Sequence, residues 1–149
     1  MDNKMKEIIG NLATELLSRT NEKEIKWKKT SNSKVLNKSQ SNLFFDEGFY
    51  TTSHEGEKNE KSIVIGKVSK RVYTDVEEYY NEYEYFLSLI NGSVRGYIEK
   101  ESVNTYFIGD ITDEYSINQE FPTDLFLKVF DKAKGDYNNL HEFATDFFD

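Results

Sequence analysis

The chain contains no cysteine, and this absence excludes several kinds of chemistry. Without thiols there is no disulfide framework, no thiolate nucleophile, no Cys-ligated zinc and no iron–sulfur cluster. No run of about 18 apolar residues could cross a bilayer. The first 17 residues lack the apolar core and small-residue cleavage site of a signal peptide. These absences predict a cytoplasmic protein that makes no contact with a membrane.

The motifs of common catalytic and cofactor sites are also absent. The eight glycines are scattered singly, so neither a P-loop nor a dinucleotide-binding glycine loop is present, and there is no G-x-S-x-G elbow. Only two histidines occur, His54 and His141, and neither belongs to a recognisable triad. We therefore predict no catalytic residue and no cofactor.

One stretch resembles a calcium loop without meeting its requirements. Residues 110–118 place oxygen-bearing side chains at alternate positions, as an EF-hand does. However, Tyr115 stands where that loop needs glycine, and Phe121 stands where it needs a bidentate glutamate. The sequence therefore predicts no metal site.

Aromatic residues supply much of the apolar material. Among 149 residues there are 11 Phe, 10 Tyr and one Trp, although the hydrophobic fraction is only 37%. Large aromatic side chains bury much area each, so they can build a core from a modest count. Residues 1–149 have the size of one domain, and we expect a single domain with a mobile loop at 30–42, which is rich in Ser, Asn and Lys.

Charge is distributed unevenly along the chain. Residues 1–71 hold 14 basic and 10 acidic side chains, whereas residues 72–149 hold 5 basic and 17 acidic ones. Phosphates would be repelled by the second half, so the balance disfavours nucleic acid and favours a basic protein surface as the partner. Lysine outnumbers arginine 16 to 3, which is typical of AT-rich bacterial or phage genomes.

Apolar spacing predicts helices at both ends of the chain. Residues 3–18 carry one stripe at spacings of three and four, with Asp2 as a possible N-cap. Near the other end, Pro122 suits a first helical turn, and two stripes follow, at 125–133 and 140–148. Gly135 lies between the stripes and is expected to end the first helix.

The middle of the chain predicts strands. Candidates in chain order are 25–28, 43–52 with a bend or bulge at Gly48, 62–73, about 82–90, 94–101 and 103–108. Segments 43–52 and 62–73 are expected to pair, and Asn91-Gly92 is a strong hairpin signal leading to 94–101. The fold class that follows is α+β: an N-terminal helix, a mostly antiparallel sheet of five or six strands, and two C-terminal helices packed on one face.

Residues 75–85 stand out as a candidate interface. Their periodicity is compatible with helix or strand, and they contain no basic residue. Tyrosine is enriched at binding hot spots, and surrounding carboxylates attract a basic partner. The structural alternative is a soluble strand edge. The candidate interface residues are Asp75, Glu77, Glu78, Tyr79, Tyr80, Glu82, Tyr83, Glu84 and Tyr85.

Three functions remain compatible with these observations. The first is a small acidic, non-enzymatic protein-binding module, such as an inhibitor, an immunity protein or a phage-encoded modulator, by analogy of composition alone. The second is a small enzyme or ligand-binding domain with a sheet–helix pocket lined by carboxylates. The third is a structural protein that self-assembles through its oppositely charged halves.

Overall fold

A computed structural model describes residues 3–37, 43–108 and 123–148. Two α-helices pack on one face of a five-stranded sheet, and two short 3₁₀ turns lie at 33–35 and 100–102. The elements are α1 (Asn3–Asn21), β1 (Lys28–Thr30), β2 (Leu43–Ser53), β3 (Lys61–Tyr73), β4 (Tyr79–Asn91), β5 (Val103–Ile108) and α2 (Thr123–Phe148).

The sheet is antiparallel throughout, with strand order β1-β2-β3-β4-β5. Each strand pairs with the one next to it in sequence, as connections in small domains commonly do. The predicted α+β class is confirmed, and so is the pairing of the second and third strands. Alternate side chains point to opposite faces, which we call the helix side, facing α1 and α2, and the loop side.

The helix side holds the first part of the core. Ile9, Ala13 and Leu16 lie along one stripe of α1, as the spacing predicts, and all are buried. The facing stripe of α2 contributes Phe126, Val129, Phe130 and Ala133, and the sheet contributes Phe49, Ile65 and Leu87. Each fully buried Phe, Ile, Leu or Val side chain in this set stabilises the fold by about 1.5–3 kcal/mol.

Trp27 belongs to this core and does not lie in a strand. The predicted strand at 25–28 is wrong, because β1 begins only at Lys28. The indole instead turns inward, is 7% exposed, and donates a hydrogen bond from Nε1 to Oγ1 of Thr20 at 3.0 Å. That hydroxyl in turn donates to the carbonyl of Leu16 at 2.6 Å, so the polar groups of the buried pair are satisfied.

The loop side is covered by irregular segments. Residues 31–37, within the predicted mobile loop, are packed: Val35 is 0% exposed, and Asn37 donates from its backbone N–H to Oγ1 of Thr105 at 2.9 Å. Residues 38–42 of that loop lie outside the described residues. The prediction of a mobile loop rested on the Ser, Asn and Lys content and overlooked the apolar pair Val35-Leu36. These two side chains are buried in the loop-side core and hold the segment against the sheet.

A second covering segment was predicted to be a strand. Residues 94–101 do not continue the hairpin after Asn91-Gly92, and β4 pairs with β5 instead. Val94 and Ile98 are buried against the loop side of the sheet. Their burial outweighs the local turn signal, because covering an apolar sheet face gains more free energy than one extra strand pair at the edge.

The irregularity in β2 lies before Gly48, the position at which it was predicted. Gly48 pairs regularly with Gly66, and the register shifts between Phe45 and Glu47. This bulge lets Phe45 and Tyr50 face the loop-side core although they are five positions apart. Gly66 is required for another reason, since a Cβ there would lie 2.5 Å from the backbone oxygen of Glu47 and from the ring of Phe86.

The C-terminal helical segments form one continuous element. Both predicted stripes lie in α2, which runs from Thr123 through Gly135 to Phe148. Asp2, Pro122 and the sequence resembling a calcium loop fall outside the described residues. Within the described ranges, no helix combines the length and apolarity needed to span a membrane.

Candidate functional site

The hairpin formed by β3 and β4 extends beyond its neighbours. Among the described residues, β2 accompanies β3 as far as Lys70, and β5 accompanies β4 as far as Tyr85. Pairing between β3 and β4 nevertheless continues to Tyr73 and Tyr79. We call residues 71–81 the hairpin arm, because their strands pair only with each other among the described residues.

The tip of the arm, residues 74–78, is an ordered turn that carries three carboxylates. The backbone N–H groups of Thr74 and Asp75 both donate to the carbonyl of Glu78, at 3.0 and 3.3 Å. The carboxylate of Asp75 accepts from the N–H of Val76, the next residue, at 2.6 Å. Asp75, Glu77 and Glu78 are all exposed, so the tip presents concentrated negative charge to solvent.

The helix-side face of the arm is aromatic and cationic. The rings of Tyr73 and Tyr79 lie 5.6 Å apart, and the guanidinium of Arg71 lies 4.8 Å from the Tyr79 centroid and 5.1 Å from that of Phe44. Nearer the sheet, Nζ of Lys67 lies 4.4 Å from the ring of Tyr83. Such cation–π contacts hold exposed rings in place at about 0.5–1 kcal/mol each.

These rings remain available to a partner. Tyr73, Tyr79 and Tyr83 are 59%, 48% and 49% exposed, and Phe44 is 43% exposed. The face is therefore ordered by its own contacts while half of each ring stays in solvent. Contiguous exposed apolar surface is a feature of interaction sites, whereas singly scattered apolar residues are normal on a surface.

The loop-side face of the arm has a different character. Tyr80 is 49% exposed, and its hydroxyl donates to Oε1 of Glu82 at 3.4 Å. Glu82 lies opposite Lys70, and Glu84 lies opposite Val68, both half-buried. The carboxylates of β4 thus lie on the opposite face from Tyr79 and Tyr83.

The nine predicted interface residues do not form one surface. Asp75, Glu77 and Glu78 lie at the tip, while the strand residues are divided between two faces by alternation. Tyr85 is half-buried and packs edge-on against Phe130, with ring centroids 5.2 Å apart. Tyr85 therefore belongs to the core margin, and eight residues remain on the accessible part of the hairpin.

Strand pairing also changes the local charge. The segment contains no basic residue in sequence, yet β3 places Lys67, Lys70 and Arg71 directly opposite β4. Charges on paired strands are close enough to offset one another. Only Lys70 lies opposite a carboxylate, that of Glu82, whereas Lys67 and Arg71 lie opposite Tyr85 and Asn81 on the helix-side face.

Sequence reasoning missed Phe44, Arg71 and Tyr73 as members of this surface. The alternation of Lys67, Ser69 and Arg71 on one face of the third strand was visible in the sequence and is confirmed. Only the pairing of β3 with β4 shows which rings those cations approach. No hairpin was predicted there, because the strand was expected to begin at about residue 82 and to pair with 94–101, whereas β4 begins at Tyr79.

A second feature is a groove of about 600 Å³ between α1 and the sheet. Its lining includes Leu12, Ile63 and Leu89 on an apolar floor, with Arg19, Glu24 and Lys61 at its rim. The alternative enzymatic hypothesis expected converging carboxylates, whereas Glu24 alone supplies one here. Among the described residues, no group of acidic and histidine side chains is suited to bind a metal.

His54 is not among the residues that line this groove. His54 lies in the exposed turn between β2 and β3 with a φ of 56°, and its Nδ1 lies 3.6 Å from a carboxylate oxygen of Glu57. His141 lies in α2, and its side chain is outside the described set. His54 is therefore not placed beside a carboxylate pair of the kind needed for acid–base catalysis among the residues that the structure describes.

A third feature is the C-terminal end of α2. Every side chain from 143 to 148 is exposed, including three phenylalanines. Phe143, Phe147 and Phe148 are 66%, 70% and 84% exposed, and neighbouring rings among them form pairs with centroids 6.1 and 5.1 Å apart. We call residues 143–148 the aromatic tail.

Comparison with protein-family models, with curated proteins and with solved structures found no significant match.

Proposed function

We propose that this protein is a non-enzymatic, cytoplasmic protein-binding module that contacts its partner through the hairpin arm. The observation that carries the proposal is the set of half-exposed rings, Tyr73, Tyr79 and Tyr83, held on a ribbon that extends beyond the other described strands. A ribbon that extends in this way reaches into a cleft that a flat sheet face cannot enter. Ordered rings also lose little conformational entropy on binding.

The partner is expected to be basic where it meets the tip. The exposed carboxylates at 75, 77 and 78 take part in none of the ion pairs found between described residues, and the paired strands end before this turn. A cationic surface on the partner would speed association and fix the orientation of docking. Nucleic acid is disfavoured, since phosphates would meet these carboxylates first.

This chemistry suits a protein that occupies a basic site on another protein. An inhibitor, an immunity protein or a phage-encoded modulator would act in this way, with the rings as apolar anchors and the tip as the charged guide. The cations Lys67 and Arg71 then serve the arm itself, because they lie over its own rings.

The test compares variants of the arm with matched variants elsewhere. We would replace Tyr73, Tyr79 and Tyr83 by Ser in one protein and Asp75, Glu77 and Glu78 by their amides in another. Partners captured from a lysate of the source cell would be identified by mass spectrometry, and the affinity of the purified partner measured by calorimetry. The aromatic variant should lose at least about a hundredfold in affinity, as hot-spot truncations do.

Two controls distinguish a specific arm from general surface effects. Tyr97→Ser removes a ring that is 81% exposed elsewhere, and amides at Glu22, Glu99 and Glu101 remove the same number of exposed acids. Both controls should bind normally. The proposal fails if the arm variants fold and bind as tightly as the parent protein.

A further inference from the structure

The groove beside α1 lies where the sheet extends past its helices. Thr51, Ile63, Leu89 and Asn104 form one row across β2, β3, β4 and β5 on the helix side. In the preceding row, Phe49, Ile65 and Leu87 are fully buried beneath the helices. In the open row Ile63 and Leu89 remain only partly buried, so an apolar floor is left uncovered.

A cation without a partner lies at the mouth of this groove. Lys61 is exposed, lines the groove, and is flanked in register by Ser53 and Asn91. None of the ion pairs found among the described residues involves it, whereas Arg19 is held by Glu15 at 2.7 Å. The groove therefore suits a group that is apolar with a carboxylate beside it.

The aromatic tail has the complementary chemistry. Phe143 and Phe147 lie one helical turn apart on the same face of α2, and Asp146 is exposed next to them. Residues 135–148 contain no Lys or Arg. A helix presenting i and i+4 aromatic anchors with a flanking acid is a common form of groove ligand.

The tail cannot fill the groove of its own chain. Phe130 of α2 contacts Phe49, and one turn later Lys134 contacts Glu47. The helix thus advances along β2 from residue 49 toward residue 47, away from Thr51 and the groove. The tail continues in that direction, so any contact between the two features is made between molecules.

We propose that the aromatic tail of one copy binds in the α1 groove of a second copy. Phe143 and Phe147 enter above Ile63 and Leu89, and Asp146 pairs with Lys61. This contact joins two different surfaces, so it produces a closed dimer when both tails are exchanged and a longer chain when they are not. It is separate from the hairpin arm, which stays free for another partner.

The first test uses complementation between two variants. In the tail variant, Phe143, Phe147 and Phe148 are replaced by Ala, which removes the aromatic anchors. In the groove variant, Asn104→Trp places a large side chain at an exposed residue of the groove lining and so narrows the groove. Sedimentation velocity should show concentration-dependent association for the parent and monomers for each variant alone. An equimolar mixture should recover a heterodimer, because one protein retains its groove and the other its tail.

The second test exchanges the charges. Lys61→Glu and Asp146→Lys should each weaken association about tenfold at low salt, and mixing the two variants should restore it. Tyr97→Ala, which removes an exposed ring elsewhere, should leave the mass unchanged, and so should Ser at Tyr73, Tyr79 and Tyr83 in the arm. If those arm variants fail to bind the partner of the hairpin arm, that result bears on the proposed function alone and leaves the self-association unaffected.

Three results would overturn the inference. One is a parent protein that stays monomeric at about 1 mM, a concentration at which even weak specific contacts are populated. Another is an association that survives in both the tail variant and the Asn104→Trp variant. The third is a mixture that stays monomeric, which would indicate that tail and groove do not meet. Circular dichroism would establish that each variant is folded.

Discussion

Nζ of Lys134 in α2 donates a hydrogen bond to Oε1 of Glu47 in β2 at 2.8 Å. This bond joins the helix to the strand beside the β2 bulge, and it fixes the direction in which α2 leaves the sheet. Glu47 is largely buried, with 15% of its side chain exposed, whereas 43% of the Lys134 side chain is exposed. The hydrogen bond to Glu47 raises the pKa of Lys134, partly opposed by desolvation.

We expect Lys134→Met to lower the free energy of unfolding by about 1 kcal/mol, because the exposed ammonium is screened and the pair is charge-assisted. A double-mutant cycle with Glu47→Gln, measured by urea unfolding at pH 7, isolates the coupling. A folded pKa above the unfolded one means that this contribution is complete below pH about 10.4. It should disappear as pH rises through the folded value, and a coupling that is unchanged above that value would contradict the assignment.

Replacing Gly66 by Ala should destabilise the protein severely. The added Cβ would lie 2.5 Å from the backbone oxygen of Glu47, which cannot move independently of β2, and equally close to the buried ring of Phe86. A loss of about 3 kcal/mol or more is expected from overpacking. Gly10→Ala is the matched control, because nothing lies within 4 Å of a Cβ there and α1 should gain about 0.5–1 kcal/mol.

Thr20→Val should cost about 1–3 kcal/mol, since it keeps the side-chain shape but leaves the buried Nε1 of Trp27 without an acceptor. Trp27 is the one tryptophan in the sequence, so its fluorescence reports the change directly during thermal unfolding. Thr14→Val provides the comparison, because that hydroxyl donates to the carbonyl of Gly10 at an exposed position. Equal stability of the two variants would show that the indole bond contributes little.

Gly135→Ala should stabilise the protein by about 0.5–1 kcal/mol, because α2 is continuous through this residue and an added methyl meets nothing within 4 Å. Helical ellipticity should be unchanged or slightly higher. If Gly135 instead ended a helix, as its sequence context predicts, alanine would destabilise the protein. Chemical denaturation distinguishes the two signs.

The fold class could be predicted from periodicity, because helices and strands with one buried face carry their pattern locally. The stripe on α1 and the alternation of Val64 and Val68 on β3 are examples, and both are confirmed. The failures occurred where tertiary burial overrode local signals. Trp27 was predicted in a strand but is buried and donates a hydrogen bond to Thr20. Val94 was predicted in a hairpin strand after Asn91-Gly92 but is buried against the loop side of the sheet.

The candidate site was only partly visible in the sequence. The acids and tyrosines of 75–85 were recognisable by composition, but their division between two faces depends on a strand that begins at Tyr79. The cations that approach these rings come from β3, at positions set by the register of Arg71 with Asn81. Composition within one segment carries no information about the strand beside it.

Strand pairing differs along the length of β4, and this difference affects the rates of amide hydrogen exchange. Leu87 lies between Ile65 and Tyr106, with a strand on both sides, whereas Asn81 has only Arg71 beside it among the described strands. Amide protons near Leu87 should therefore exchange with solvent only when the whole domain opens, and those near Asn81 when the ribbon alone frays. β4 thus contains both the slowest-exchanging and some of the fastest-exchanging amides of the sheet. A ligand that binds the half near Asn81 would slow amide exchange there first.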